Sequence, residues 1–255
     1  MSAEYTPPLS ERIALTDLGA TFVDLAEMMT QGSGVLDLVS MLSLRTVKIL
    51  PVDLSGVLVI DQSNALQLIG SSHHSLELLD LFHIQNEDGP SLTCCHEART
   101  VAEDDLPSRT ATSRFADVAV KRGFSAAYAL PLRSQNFVVG ALNLLTRQKL
   151  TERELLIGQA LADATTIAFF QVDPQHDLEI VARKIHIAVE ARNALEQAKG
   201  ILNQRHGISM EQAFEVLQRV SEAHSIDLSQ LASDVVNRSL STALATTLES
   251  SIPRV

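Results

Sequence analysis

Apolar residues recur at helical spacing from Ser10 to about Thr30, where Ile13, Leu18, Phe22, Leu25 and Met29 share one face. The stretch "QGSG" breaks that pattern, and a second helix is expected from Val35 to Ile49, ended by Pro51. The period then changes. "SGVLVID" (Ser55–Asp61) and "ALQLIGSS" (Ala65–Ser72) read as short strands about a polar turn. Helix is expected over His73–Phe82 and Ser113–Arg122, with Gly123 placed as a C-terminal cap, and a turn over Asn86–Ser91. "RTVAEDD" holds a short strand. "FSAAYALPLR" and "FVVGALNLL" are the clearest strands, joined by a turn at Ser134–Asn136. The front region is therefore expected to be an α+β unit whose sheet is mostly antiparallel, with flanking helices.

A long helix follows, opened by the capping box of Thr151 and Glu154 and striped by Leu155, Leu156, Leu161, Ile167 and Phe170. "DPQHD" (Asp173–Asp177) interrupts it, because Pro174 disfavours helix just before itself. That places a boundary between a front domain, 10–172, and a rear unit, 173–249. Helix resumes from Leu178 to His206 and closes at Gly207. Ser209 with Gln212 caps a second helix, lined inside by Ala213, Phe214, Leu217 and Val220. Asp227 and Gln230 start a third, lined by Leu231, Val235, Val236 and Leu240. A three-helix unit of this size buries little area alone, so it is expected to pack on a partner surface or a dimer mate.

Composition narrows the class. Hydrophobic residues make up 45% and charged residues 20% of the 255, as in globular protein rather than a disordered chain. No run of about 18 apolar residues is present, so no membrane span is expected, and Met1–Ser10 lacks the layout of a signal peptide. The two cysteines, Cys94 and Cys95, are adjacent, which suits free thiols in a reducing cytoplasm. The net charge of -11 makes the chain as a whole a poor non-specific polyanion binder. The charge is uneven, however. Asp173–Val255 holds 8 Lys and Arg against 11 Asp and Glu, a net of -3, which leaves -8 in front. Within it, Arg183, Lys184, Arg192, Lys199 and Arg205 face only Glu190 and Glu196.

Candidate chemistry concentrates in that basic stretch. Arg192, Glu196, Lys199, Asn203 and His206 follow spacings of four, three, four and three, which draws one polar stripe along a helix. Gly200 lies beside it at a cost of roughly 1 kcal/mol relative to alanine. A glycine there either lets a phosphate or base edge approach the backbone or serves helix packing. Periodicity alone favours an ordinary solvated face. Phe214 falls on the apolar stripe and reads as core rather than as a base-stacking platform. Cys94-Cys95-His96 invites a zinc reading with His73, His74 or His83, but adjacent thiols suit one tetrahedral ion badly. No nucleophile elbow, P-loop or His-Glu-x-x-His is present, so no catalytic residue, metal or cofactor is assigned.

The stretch "LEQAKGILNQRHGISMEQAFEVLQRVSEAHSIDLSQLASDVV" resembles the ANTAR domain, an RNA-binding module of bacterial antitermination regulators. Ala198-Lys199-Gly200, Gly207-Ile208-Ser209 and Ala213-Phe214 carry the resemblance. The front residues "EDGPS", "DDLPSR", "FADVAVKRGFSAAYALPLR" and "VVGALNLL" are more loosely similar to GAF domains, of the kind that precede ANTAR domains in actinobacterial regulators. Two departures are visible: Ser91 follows Pro90 where a cysteine is expected, and the chain has no Trp. The resemblance implies a cytoplasmic, non-enzymatic regulator that binds stem-loops in nascent RNA through Arg192, Lys199, Gly200, Asn203, Arg205 and His206. It implies a homodimer and a front domain that senses a small-molecule ligand or mediates dimerisation. The rival expectation is a sensor whose helical tail docks a protein partner. DNA binding is disfavoured, because the third helix carries only Arg238 as a basic group.

Overall fold

A computed structural model describes residues 9–31, 34–134, 137–170 and 178–253. The expected tail over 1–10 and the boundary at Asp173–Asp177 fall mostly or wholly outside the described residues. Five strands, β1 (Leu54–Ile60), β2 (Leu66–Ser71), β3 (Val101–Glu103), β4 (Ala126–Ser134) and β5 (Phe137–Thr146), form one sheet in the order β2-β1-β5-β4-β3. Every neighbouring pair is antiparallel. The sheet is not a plain meander, since β5 runs between β1 and β4. Its backbone pairs with both, so the longest strand sits at the centre.

Helices cover both faces, which explains why β1 and most of β5 read as unbroken apolar runs rather than as an alternation. The period of two survives in which core each residue enters. Val57, Val59, Tyr128, Leu130, Leu142 and Leu144 pack against α1 (Leu9–Gln31), α2 (Val35–Ile49) and α6 (Glu152–Phe170). Leu54, Leu58, Ala127, Ala129, Ala141 and Leu145 pack against α3 (Leu76–Ile84), α4 (Pro90–Glu97) and α5 (Arg114–Lys121). Helix α4 was not expected from sequence: its residues lack a helical apolar period, and the turn over Asn86–Ser91 ends in its first residues. Pro90 opens it at the position where a missing N–H is harmless.

The rear unit comprises α7 (Leu178–His206), α8 (Met210–His224), α9 (Leu228–Asn237) and α10 (Thr242–Ser251). The last is a correction to the expected three-helix unit. Its sequence is rich in Thr and Ser, but Ser241 caps it and Leu248 buries against the rear core. Gly207 takes φ +68° after α7, and both bonds of the Ser209–Gln212 capping box form. Asp227 caps α9 through the N–H of Ser229 at 2.8 Å, whereas Gln230 bonds Asp234 instead of completing a box.

The two units exchange side chains. At 29 residues α7 is about 43 Å long, enough to serve both. Its Ile185 and Ala188 enter the front core, while Leu195, Ala198 and Leu202 build the rear one. In return Leu36 of α2, with no exposed surface, is part of the rear core. Beside it two helix N-termini meet. Asp37 in the first turn of α2 accepts a 3.4 Å bond from the N–H of Leu228, the first residue of α9. The Asp227 carboxylate in turn lies against Gly34, the N-cap of α2, so closely that a methyl on Gly34 would collide with it.

Each carboxylate gains from the positive end of a helix. Crowding nonetheless penalises charge: burial first, then Asp227 and Glu222, push Asp37 up to about 6 from 3.8. A raised carboxyl pKa means that the ionised form opposes the folded contact above about pH 6, and that this penalty fades as pH falls towards 3.8. Asp37→Asn keeps a carbonyl acceptor and removes the charge. It is expected to stabilise the protein at pH 7.5 by on the order of 1–2 kcal/mol, discounted for partial exposure. The gain should shrink by pH 5 and vanish near pH 4. Thermal melts of both proteins across that range isolate the effect, and a variant no more stable than wild type at pH 7.5 would contradict it.

Candidate nucleic-acid interface

The polar stripe of α7 divides in two. Arg192 and Lys199 are buried, at 4% and 0% exposure, and Glu196 sits between them. Lys199 Nζ donates to both carboxylate oxygens of Glu196, at 2.7 and 2.8 Å, and Arg192 pairs with the same carboxylate. One carboxylate thus serves two cations. Arg192 Nη1 finds no acceptor. Burial, then Arg192, lowers Lys199 to about 8, still charged at neutral pH.

A group from the front unit lies near Arg192 and Lys199. His74, in the segment between β2 and α3, lays its imidazole on the ring of Phe214 with centroids 3.6 Å apart and planes 24° from parallel. Its backbone N–H points to Glu211 Oε1 at 3.4 Å. Burial, followed by the charges of Arg192 and Lys199, holds His74 well below its ordinary pKa, so the ring is neutral. Neither ring nitrogen has a partner. In this arrangement Arg192 and Lys199 are closed to an incoming ligand, which corrects the expectation of an open stripe. The sequence pattern located them but could not show that another part of the chain covers them.

The other assigned residues lie at the far end of α7. Asn203 is exposed, and its Nδ2 donates to Ile208 O at 2.6 Å, bracing the turn into α8. Arg205 is exposed, and His206 Nε2 lies 3.9 Å from Glu249. Gly200 faces open space, with nothing within 4 Å of where a Cβ would stand. It shares its side of α7 with exposed Asn193, Gln197 and Gln204. That geometry removes the helix-packing explanation for the glycine. Sequence reasoning set Phe214 aside as core and weighed His74 only as a zinc partner, and it missed Glu211.

The front unit has its own polar core. Ser91, Gln85 and Asn143 are fully buried, with Asn143 Nδ2 bonding Ser91 Oγ at 3.0 Å and Gln85 Oε1 at 3.2 Å. The position after the Gly-Pro pair is therefore committed to the interior. A cavity beside Gly89 and Pro90 measures about 40 Å³, room for a water or two and not for a metabolite. Two larger hollows touch the rear unit. A cleft of about 740 Å³ runs along the α2–α8 seam past Asp37, Arg45, Glu222 and Asp227. A groove of about 650 Å³ lies between Phe137–Val139, the β1–β2 turn and α7. Among the described residues no three His, Cys, Asp or Glu side chains cluster to hold a metal, and no helix is long and apolar enough to cross a membrane.

Residues 183–236 match the family model of the ANTAR domain. The chain is also similar to solved structures that include the GAF domain of a phosphoenolpyruvate-protein phosphotransferase from Acinetobacter (12% identity, covering 62% of this chain and 96% of that one, TM-score 0.48). Others are a GAF domain/HD domain protein from Geobacter sulfurreducens (16%, 55% and 94%, TM-score 0.46) and a type II free methionine-R-sulfoxide reductase from Thermoplasma acidophilum (13%, 52% and 90%, TM-score 0.43). Comparison with curated proteins finds no match. The matched residues fall on α7, α8 and α9, behind the α+β unit. An ANTAR domain implies RNA binding.

Two outcomes follow from this geometry. Gly200→Ala is expected to raise stability by up to about 1 kcal/mol, because the methyl enters open space on a helix. A lower melting temperature would show a hidden packing role. Burial pushes both Cys94 and Cys95 up to about 12, so the native thiols are protonated at pH 8. Iodoacetamide should leave both unmodified until the protein is unfolded, and rapid native alkylation would refute their inert placement.

Proposed function

We propose that this protein is a cytoplasmic antitermination regulator that binds stem-loops in nascent transcripts, catalyses no reaction, and works as a homodimer. The observation that carries the reading is the ANTAR match over the helices that align Arg192 and Lys199 on one face of α7. Cations on a helix suit phosphate contact, and RNA loops offer unstacked bases for specific recognition. A module of this size grips one loop weakly, and two copies held at a set spacing gain by effective concentration. Support for the dimer comes from the front helices: α1 and α6 pack together, and Phe22, Val23, Leu156 and Ile167 remain exposed on them at 39%, 57%, 72% and 53%. The GAF-like unit supplies the signal that admits RNA.

The test uses the full chain with its seam opened by Leu36→Glu, which places a charge in the rear core contact. A two-hairpin RNA, a loop-less control RNA and duplex DNA are titrated at 0.1 M salt, with light scattering on the same samples. Selective retention of the looped RNA by a dimer is expected. Equal binding to duplex DNA, or a monomer at micromolar concentration, would contradict the corresponding half of the reading.

A further inference from the structure

We propose that the ring face of Phe214, with Arg192 and Lys199 beside it, is a nucleobase pocket, and that His74 occupies it as an internal stand-in for an unstacked purine. The inference rests on the RNA reading above and goes beyond it by naming the pocket and its resident blocker.

The imidazole of His74 has surroundings that suit a base. Its floor is an aromatic ring at stacking distance. Its neighbours are two buried cations that share one carboxylate. A stacking floor with convergent donors is what a single-stranded base requires: the π-face is held by an aromatic side chain, and edge acceptors are read by Arg or Lys. A purine such as guanine carries two adjacent acceptors, O6 and N7, which match a guanidinium.

The present occupant fits only in part. The ring is planar and neutral, so it stacks and tolerates the cations. Both its nitrogens and Arg192 Nη1 are nevertheless left without partners in a buried place. Polar groups buried at an ordinary core contact are nearly always satisfied. No hydrogen bond joins the ring to Arg192, although Arg192 and Lys199 act on it electrostatically, which leaves room for an occupant that would bond them. The ring also belongs to the front unit, attached to a segment that ends β2. Its removal needs movement at the seam between the two units, so the pocket opens when the seam does. Phe214 remains a core residue through its other face, packed among the rear helices.

The test uses the full chain and a hairpin RNA whose loop purines are replaced one at a time by 2-aminopurine, which loses fluorescence on stacking. Acetylation of Lys199, followed by peptide mass mapping, reports access to the pocket independently of RNA. His74→Ala is expected to speed Lys199 acetylation and to tighten hairpin binding at least tenfold, with quenching at one loop position. Leu36→Glu should do the same by opening the seam. Should that variant fail to fold, Gly34→Ala supplies a smaller wedge against Asp227. Adding Phe214→Leu to His74→Ala keeps the apolar contact with the rear core, and should lose the tenfold gain and the quenching while Lys199 stays reactive.

Three results would overturn the proposal. If Lys199 in the wild type is acetylated as fast as in His74→Ala, His74 is not a blocker. If the double variant binds the hairpin as tightly as His74→Ala, the RNA reading stands and the pocket does not. If no variant binds looped RNA although Lys199 reacts freely, the RNA reading itself fails, and the pocket with it.

Discussion

The contact on which the rest of this structure depends is the seam between α2 and the rear helices. Leu36 leaves the front unit to complete the core of the rear one, and α7 returns Ile185 and Ala188 to the front core. Neither unit closes its apolar surface alone. A four-helix unit of this size has a poor ratio of buried to exposed area, and the seam supplies what it lacks. The same contact brings His74 onto Phe214, within electrostatic reach of the buried Arg192 and Lys199.

The seam is built from groups that oppose one another. Apolar burial at Leu36 and stacking at His74 hold it closed. Charge works against it: Asp37, Asp227 and Glu222 crowd at two helix N-termini, and two cations are buried beside a single carboxylate. Buried ion pairs return little net stability, because desolvation offsets most of the attraction. Unpaired donors at Arg192 and unpaired nitrogens at His74 add to the cost. The seam therefore combines apolar burial with charges that oppose it.

In the front unit the sheet is buried on both faces, and its central polar residues Ser91, Gln85 and Asn143 bond one another while Gln85 Nε2 and Asn143 Oδ1 stay unpaired. The Cys94 and Cys95 thiols are locked in the protonated form by burial. The cavity beside Gly89 and Pro90 is small, while two hollows of about 740 and 650 Å³ border the rear helices and another of about 380 Å³ lies on α1.

Much of the fold was legible in the chain because it is written in local chemistry. The capping boxes at Thr151 and Ser209, the left-handed glycines Gly123 and Gly207, and the apolar strand runs each follow from a few neighbouring residues. Helices α4 and α10 escaped because Pro-Ser-Leu-Thr-Cys-Cys and Thr-Ala-Leu-Ala-Thr-Thr carry little periodic signal, and tertiary packing stabilises them. The cationic stripe was legible as spacing on α7. Its state was not. Sequence spacing orders residues on one helix, but nothing in it shows that a histidine more than a hundred positions earlier lies across them. By itself the sequence determined which elements form and which residues share a face. Only the tertiary structure decided that the ring of Phe214 meets His74, that Gly200 is open while its neighbour Lys199 is closed, and that Leu36 belongs to the other unit's core. The physical reason is that burial and charge pairing are properties of surfaces brought together by the whole fold, and those surfaces lie far apart along the chain.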